Sequence, residues 1–224
     1  MKACTVPTAS RGILNNSMKK IALLGAGGHA RVVWDTLHAC ADCSVVAVLD
    51  EDPKRWGEKF FDLEIRGPLD TIRDTSADAV VIGIGDNRAR QRVYEQVKML
   101  KIPLVNAIHP RAVIATNVEL GEGIVAFANV VVNIGARIGD NVILNTACTI
   151  DHDCIIGAHA HIAPGAHLAG SIRVGAGTLV GIGAAIIPNL VVGDWSIIGA
   201  GSAVVRDVPA GATVVGAPAR VVEK

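Results

Sequence analysis

Residues 138–173 read IGDNVI LNTACT IDHDCI IGAHAH IAPGAH LAGSIR, six blocks of six that each open on Ile or Leu. The register runs outward in both directions. Stepping by six from Ile108 meets Ile114, Leu120, Ala126, Val132, Ile138, Leu144, Ile150, Ile156, Ile162, Leu168, Val174, Val180, Ile186, Val192, Ile198 and Val204. No insertion interrupts the series, and sixteen of its seventeen members are Ile, Leu or Val. Three residues after each of them the chain places residues such as Asn117, Gly123, Asn129, Gly135, Asn141, Asp153, Gly165 and Asn189, and never Ile, Leu or Val. Turns that need left-handed backbone select Gly, Asn and Asp. Two residues before the aliphatic, small residues recur: Cys148, Cys154, Ala160, Ala166, Ala184, Ser196.

A longer period lies above the six. Gly121, Gly139, Gly157, Gly175 and Gly193 are each 18 apart, so one coil holds three short strands and three corners. This pattern specifies a parallel β-helix of triangular cross-section. An amphipathic helix would need spacings of three and four. Composition agrees: half of the 224 residues are hydrophobic, yet 3% are aromatic and 24 are Gly. A narrow solenoid takes ladders of small aliphatics rather than large rings. The formal net charge is zero, without the basic excess and stacking aromatics of a nucleic-acid binder. Val174 to Gly193 is an uncharged window of membrane-span length. Its five Gly, Pro188 and Asn189 fit the solenoid register better than a span. The five Cys are odd in number and irregularly spaced, as in reduced cytoplasmic proteins. Cys40 and Cys43 form a single C-x-x-C, which reads as a helix end and not a zinc site.

The first half alternates strands and helices. Lys20–Leu24 is an apolar strand, Gly25-Ala26-Gly27-Gly28-His29-Ala30 follows, and a helix is predicted to about Ala41. Strands are expected at 45–49 and within 78–85, a helix at about 89–100 and a short strand at 103–106. The pattern implies a small α/β unit with a parallel sheet. Gly25, Gly27 and Ala30 fit a dinucleotide fingerprint, with Asp50 about 20 residues on. A second mononucleotide half is missing, so what remains is a Gly-rich turn and helix N-terminus able to approach a phosphate. Asp50 is placed to accept from a base or ribose. Asp86, Asn87 and Arg88 either line the same edge or cap a helix. Residues 1–17 lack a continuous apolar run and read as an extension, not a signal peptide.

Four of the seven His fall between 152 and 167. His152 and Asp153 occupy a corner, with Gly170 one coil above. Asp153 is positioned to orient the imidazole and raise its basicity, as a general base requires. Asp151 is the competing carboxylate. A solvated corner His beside a turn Asp is the alternative reading. His161 projects from the face opposite that corner, so a site using both His lies between subunits. His159 and His167 are read as surface residues. Cys148 and Cys154 point inward and are expected to be poorly reactive.

The GAGGHA turn, Asp151-His152-Asp153-Cys154-Ile155-Ile156-Gly157 and Gly216-Ala217-Pro218-Ala219 together resemble the sialic acid O-acetyltransferase-like (NeuD/PglD-type) group of hexapeptide acyltransferases. Within it the chain is most similar to N-acetyltransferases of nucleotide-linked amino sugars, UDP-4-amino sugars or GDP-perosamine. The resemblance implies a Rossmann-like sugar-nucleotide-binding domain over 19–107 after an extension over 1–18. A left-handed parallel β-helix over 108–209 and a tail over 210–224 would follow. It implies acetyl-CoA as co-substrate, no metal, and a cytoplasmic homotrimer with sites between subunits. His152 would be the base, tuned by Asp153 where some relatives carry Glu. Gly170 would offer its N–H to the thioester carbonyl. His161, Ile182, Pro188 and Ala200 match coenzyme contacts, although Ala200 replaces a Gly seen in some relatives. Gly27, Gly28, His29, Asp50 and Glu51 match the sugar-nucleotide site. Two alternatives stay open: sialic acid-type O-acetylation, and a non-catalytic sugar-nucleotide-binding assembly protein.

Overall fold

The computed structural model describes residues 18–222, so the predicted extension over 1–17 lies outside the described residues. The chain divides into two compact units, Met1–Pro110 and Arg111–Lys224.

The first unit holds a five-stranded sheet in the order β3 (Lys59–Phe60), β4 (Leu63–Arg66), β2 (Cys43–Leu49), β1 (Lys19–Leu24) and β5 (Ala79–Ile82). Its centre is β1 (Lys19–Leu24), parallel to β2 (Cys43–Leu49) on one side and β5 (Ala79–Ile82) on the other. Ile21 to Leu24 and Ala79 to Ile82 are buried along their whole length, as in a parallel sheet covered on both faces. Helix α1 (Gly28–His38) packs Ala30, Val33, Trp34 and Leu37 inward. It stops three residues before the predicted end, where Cys40 N–H turns back to Leu37 O. Helix α2 (Asn87–Met99) starts two residues earlier than predicted, because Asp86 is its N-cap and accepts from Ala89 N–H at 2.8 Å. The segment predicted as a strand at 103–106 makes an isolated bridge from Leu104 to Val80 and no ladder.

The hairpin of β3 (Lys59–Phe60) and β4 (Leu63–Arg66) carries no sequence signal. The strands are very short, and the turn is opened by Phe61 at φ +53° where Gly or Asn would mark it. Phe61 stacks on Trp34, which also stacks on His38.

The second unit is a left-handed parallel β-helix. Nearly all its strands are two residues long, and from Val113 to Val204 they pair in parallel at a spacing of 18 residues, as Thr149 with Val131 and His167. One sheet contains Val131–Val132, Thr149–Ile150, His167–Leu168 and Ala185–Ile186; the second contains Arg137–Ile138, Ile155–Ile156 and Arg173–Val174. The third contains Ile143–Leu144, His161–Ile162, Leu179–Val180 and Ile197–Ile198. From Ile138 to Val204 every sixth residue is buried, so the aliphatic ladder is the core. The third residue after each rung has positive φ at every turn from Gly123 to Gly201, including Asp153, Ser171 and Trp195. The 18-residue glycines have a separate cause: a Cβ on Gly139 would lie 2.7 Å from Ala158 N of the next coil.

Residues 210–224, expected as a tail, contain further strands. Thr213–Val215 pairs in parallel with Ile197–Ile198, and Arg220–Val221 folds back antiparallel on it. The buried rungs after Val204 are Val208, just before this stretch, and Val214 within it. The step after Val204 is four residues, not six, so counting by six loses the ladder at that point.

Candidate active site

Two places bring together the residues singled out from the sequence. The first lies at the C-terminal edge of the first unit's sheet. A cavity of about 330 Å³ is lined by Gly27, Gly28, His29, Asp50 and Glu51, together with Leu69, Gly85 and others. All five predicted sugar-nucleotide residues therefore share one pocket. Their roles differ from a simple ligand set. Asp50 Oδ2 accepts from Ala26 N–H at 2.7 Å and its Oδ1 from Asp52 N–H at 3.0 Å. Its carboxylate ties the Gly-rich turn to the end of β2. Glu51 Oε1 accepts from Leu69 N–H at 3.2 Å, tying the opposite wall. Gly27 is the N-cap of α1, and no side chain makes a capping bond to the helix's first amides.

Sequence reasoning missed Arg90. It is fully buried beneath this pocket and donates to Ile84 O at 3.3 Å, Gly85 O at 3.1 Å and Asn87 Oδ1 at 3.0 Å. Burial lowers its pKa to about 10. His29 is lowered to about 4, first by burial and then by Arg90, so its imidazole is neutral at physiological pH. An apparently surface-facing Arg at the start of a helix gave no sign of this burial.

The second place is a corner of the solenoid. His152 and Asp153 stand in the turn between the strands Thr149–Ile150 and Ile155–Ile156. His152 Nδ1–H donates to Asp153 Oδ2 at 2.9 Å, which leaves Nε2 as the ring's acceptor. That contact raises the His152 pKa, with smaller help from the charges of Asp151 and Asp153. Asp151 does not take the ring. Its Oδ1 accepts from Asn133 Nδ2 at 2.9 Å and from His152 N–H at 2.8 Å, and these bonds lower its pKa.

Gly170 lies directly over the imidazole. A Cβ there would collide with Nε2 and Cε1 of His152, so any other residue would push the ring from this position. Its carbonyl accepts from Asn189 N–H at 3.1 Å, while among the described residues its N–H makes no hydrogen bond. Pro188 stands on the same corner, one coil above Gly170. Ile182 and Ala200 stack on a different corner, where Gly201 N–H donates to Ile182 O at 2.8 Å. His161 sits in the third sheet, whose strands face away from the His152 corner, with Asn145 Nδ2 3.0 Å from its Nε2. Asn145 was missed because its spacing of 16 from His161 falls outside the repeat. His159 and His167 bond Asn141 and Thr149, each 18 residues earlier. Burial pushes the Cys148 thiol up to about 12, removing it as a nucleophile.

Cys40, Asp42 and Cys43 bring three potential ligand atoms within 4.8 Å of one another. Both thiols act as donors to the end of α1, Cys40 Sγ to Thr36 O at 3.3 Å and Cys43 Sγ to Leu37 O at 3.5 Å. They close the helix terminus.

Comparison with known proteins places both units. A model of the PglD N-terminal domain matches residues 20–97, and a bacterial transferase hexapeptide model (six repeats) matches residues 135–170. PerB from Caulobacter crescentus, whose crystal structure holds CoA and GDP-perosamine, is 37% identical with a TM-score of 0.86, over 92% of this chain and 99% of PerB. The acetyltransferase domain of PglB from Neisseria gonorrhoeae, in complex with acetyl coenzyme A, is 34% identical with a TM-score of 0.84, over 91% of this chain and 99% of that one. The UDP-N-acetylbacillosamine N-acetyltransferase of Bacillus subtilis is 35% identical over 113 residues, 50% of this chain and 52% of the relative. The match thus spans about half the length of that curated relative. A PglD-type α/β unit followed by a hexapeptide solenoid, aligned end to end with PerB, means that the chain belongs to the PglD-type hexapeptide-repeat acetyltransferases.

Proposed function

We propose that the protein is an acetyl-CoA-dependent N-acetyltransferase acting on the amino group of a nucleotide-linked amino sugar. One observation carries the reading: His152 is oriented by Asp153 so that Nε2 faces the coil bearing the Gly170 N–H. The substrate amine attacks the thioester carbonyl, Nε2 takes the amine proton, and the C–S bond breaks as the C–N bond forms. The CoA thiolate leaves and takes that proton from the imidazolium, which returns His152 to its neutral form. Gly170 N–H meets the negative charge that develops on the carbonyl oxygen. Asp153 holds Nδ1–H in place and stabilises the imidazolium.

The pocket of the first unit receives the sugar nucleotide. The first amides of α1 suit its phosphates, Asp50 and Glu51 hold the pocket walls, and a neutral His29 adds no charge. His161, Ile182, Pro188 and Ala200 contact the coenzyme. We place the acetyl donor between subunits of a homotrimer, as the family resemblance implies; His161 and His152 stand on different faces of one chain, so a site that uses both lies between chains. No helix among the described residues is long and apolar enough to cross a membrane. A cytoplasmic location belongs to the proposal on a separate ground, the use of acetyl-CoA as co-substrate.

CoA release tests the proposal. Assays pair acetyl-CoA with GDP- and UDP-linked 4-amino sugars, with sialic acid and with CMP-sialic acid. Turnover with an amino-sugar nucleotide is the expected result. Turnover confined to the sialic acids would establish O-acetylation instead, and no release with any acceptor would establish a binding protein.

A further inference from the structure

Two carboxylates flank His152, and the turn one coil below decides which of them reaches the ring. Asn133 engages Asp151, whose Oδ1 also accepts from the His152 backbone. Ile134 O accepts from Asp153 N–H at 3.1 Å, fixing the Asp153 backbone in its left-handed conformation at φ +59°. Gly135 then lies directly against the Asp153 carboxylate. A Cβ at 135 would collide with Oδ1, the oxygen that does not bind the imidazole. The other oxygen is the one 2.9 Å from His152 Nδ1.

We propose that Gly135 is a positioning residue for the base: the space left by its missing side chain seats the Asp153 carboxylate beneath the His152 imidazole. The proposal rests on the reading of His152 as general base. The three atoms nearest a Cβ at 135 all belong to Asp153 and none to the ring, so Gly135 acts through Asp153. Backbone conformation alone does not require Gly there. Gly135 has φ +76°, yet Ala147 fills the corresponding turn position at φ +56° and Asn129 at φ +61°. What separates 135 from those positions is the carboxylate above it. The charged groups acting on His152 are Asp153 and Asp151, both in its own turn. The turns packed below and above contribute Asn133, Ile134 and Gly135, and Gly170 and Ser171, none of which titrates near neutrality.

The experiment compares Gly135→Ala, Asp153→Asn, the double variant and Gly211→Ala by kcat/KM from pH 5 to 9. Gly211 has φ +71° with open space where a Cβ would go, so Gly211→Ala carries the same backbone strain far from the dyad. Thermal melting verifies that each variant folds. In the native enzyme kcat/KM falls on the acid side as His152 is protonated. Gly135→Ala is expected to lower kcat/KM at pH 7 at least tenfold. It should also move the acid limb to lower pH, in the direction that Asp153→Asn moves it. The double variant should be no slower than Asp153→Asn alone, and Gly211→Ala should keep the native limb. An unmoved limb in Gly135→Ala, or losses that multiply in the double variant, overturns the proposal. If Asp153→Asn itself leaves the limb in place, the failure lies with His152 as base.

Discussion

Gly170 shows what a single residue contributes at this site. Its hydrogen atom occupies the place where any side chain would strike the His152 ring. Gly170→Ala is expected to displace the imidazole and lower kcat about 100-fold, since an ångström of misplacement costs that much, with little change in the melting temperature. Steady-state kinetics beside a thermal melt checks the split. Arg90 acts on the pocket of the first unit. Arg90→Met strands the carbonyls of Ile84 and Gly85, and should destabilise the fold by about 1–3 kcal/mol while raising KM for the sugar nucleotide. Urea titration and acceptor kinetics read the two effects. His29 gives a pH dependence. Its folded pKa near 4 lies below the ordinary 6.5, so between those values the unfolded chain binds a proton that the folded chain refuses. Stability is full above about pH 6.5 and declines as pH falls toward 4. His29→Gln should flatten that part of the urea midpoint's pH profile. At this scale the dyad was legible because hexad arithmetic fixes its corner. Arg90 and Asn145 were not, since neither burial nor a cross-coil bond at a spacing of 16 leaves a trace in the linear pattern.

At the scale of elements, the solenoid is held by its ladder. Ile150 is fully buried between Val132 and Leu168 of the adjoining coils, directly behind the His152 turn. Ile150→Ala is expected to cost about 2–5 kcal/mol, because stacked coils leave little freedom to close the cavity. Chemical denaturation measures it. The repeat made these elements readable down to single residues, since strand, turn and buried rung recur on one period. Legibility ended where the period did, at the four-residue step from Val204 to Val208. The first unit was readable only in its long elements. Its hairpin turns at Phe61, which has positive φ and stacks on Trp34, a tertiary contact that no local turn rule reports. Helix ends shifted for a similar reason, with Asp86 and the two thiols setting the termini.

For the whole molecule, the division of labour follows the two folds. The α/β unit offers a Gly-rich pocket, and the solenoid offers rigid corners on which a dyad keeps its geometry. The proposed homotrimer follows from the family resemblance, with the opposed faces of His152 and His161 requiring more than one chain if both serve one site, and sedimentation equilibrium should return the mass of three chains. The central claim is that His152 takes the proton from the acceptor amine. The most direct measurement is His152→Asn assayed for CoA release with an amino-sugar nucleotide, alongside calorimetric titration with CoA. Loss of a general base predicts turnover reduced by about 10²- to 10⁴-fold with coenzyme affinity nearly unchanged. Near-native turnover in that variant would contradict the account.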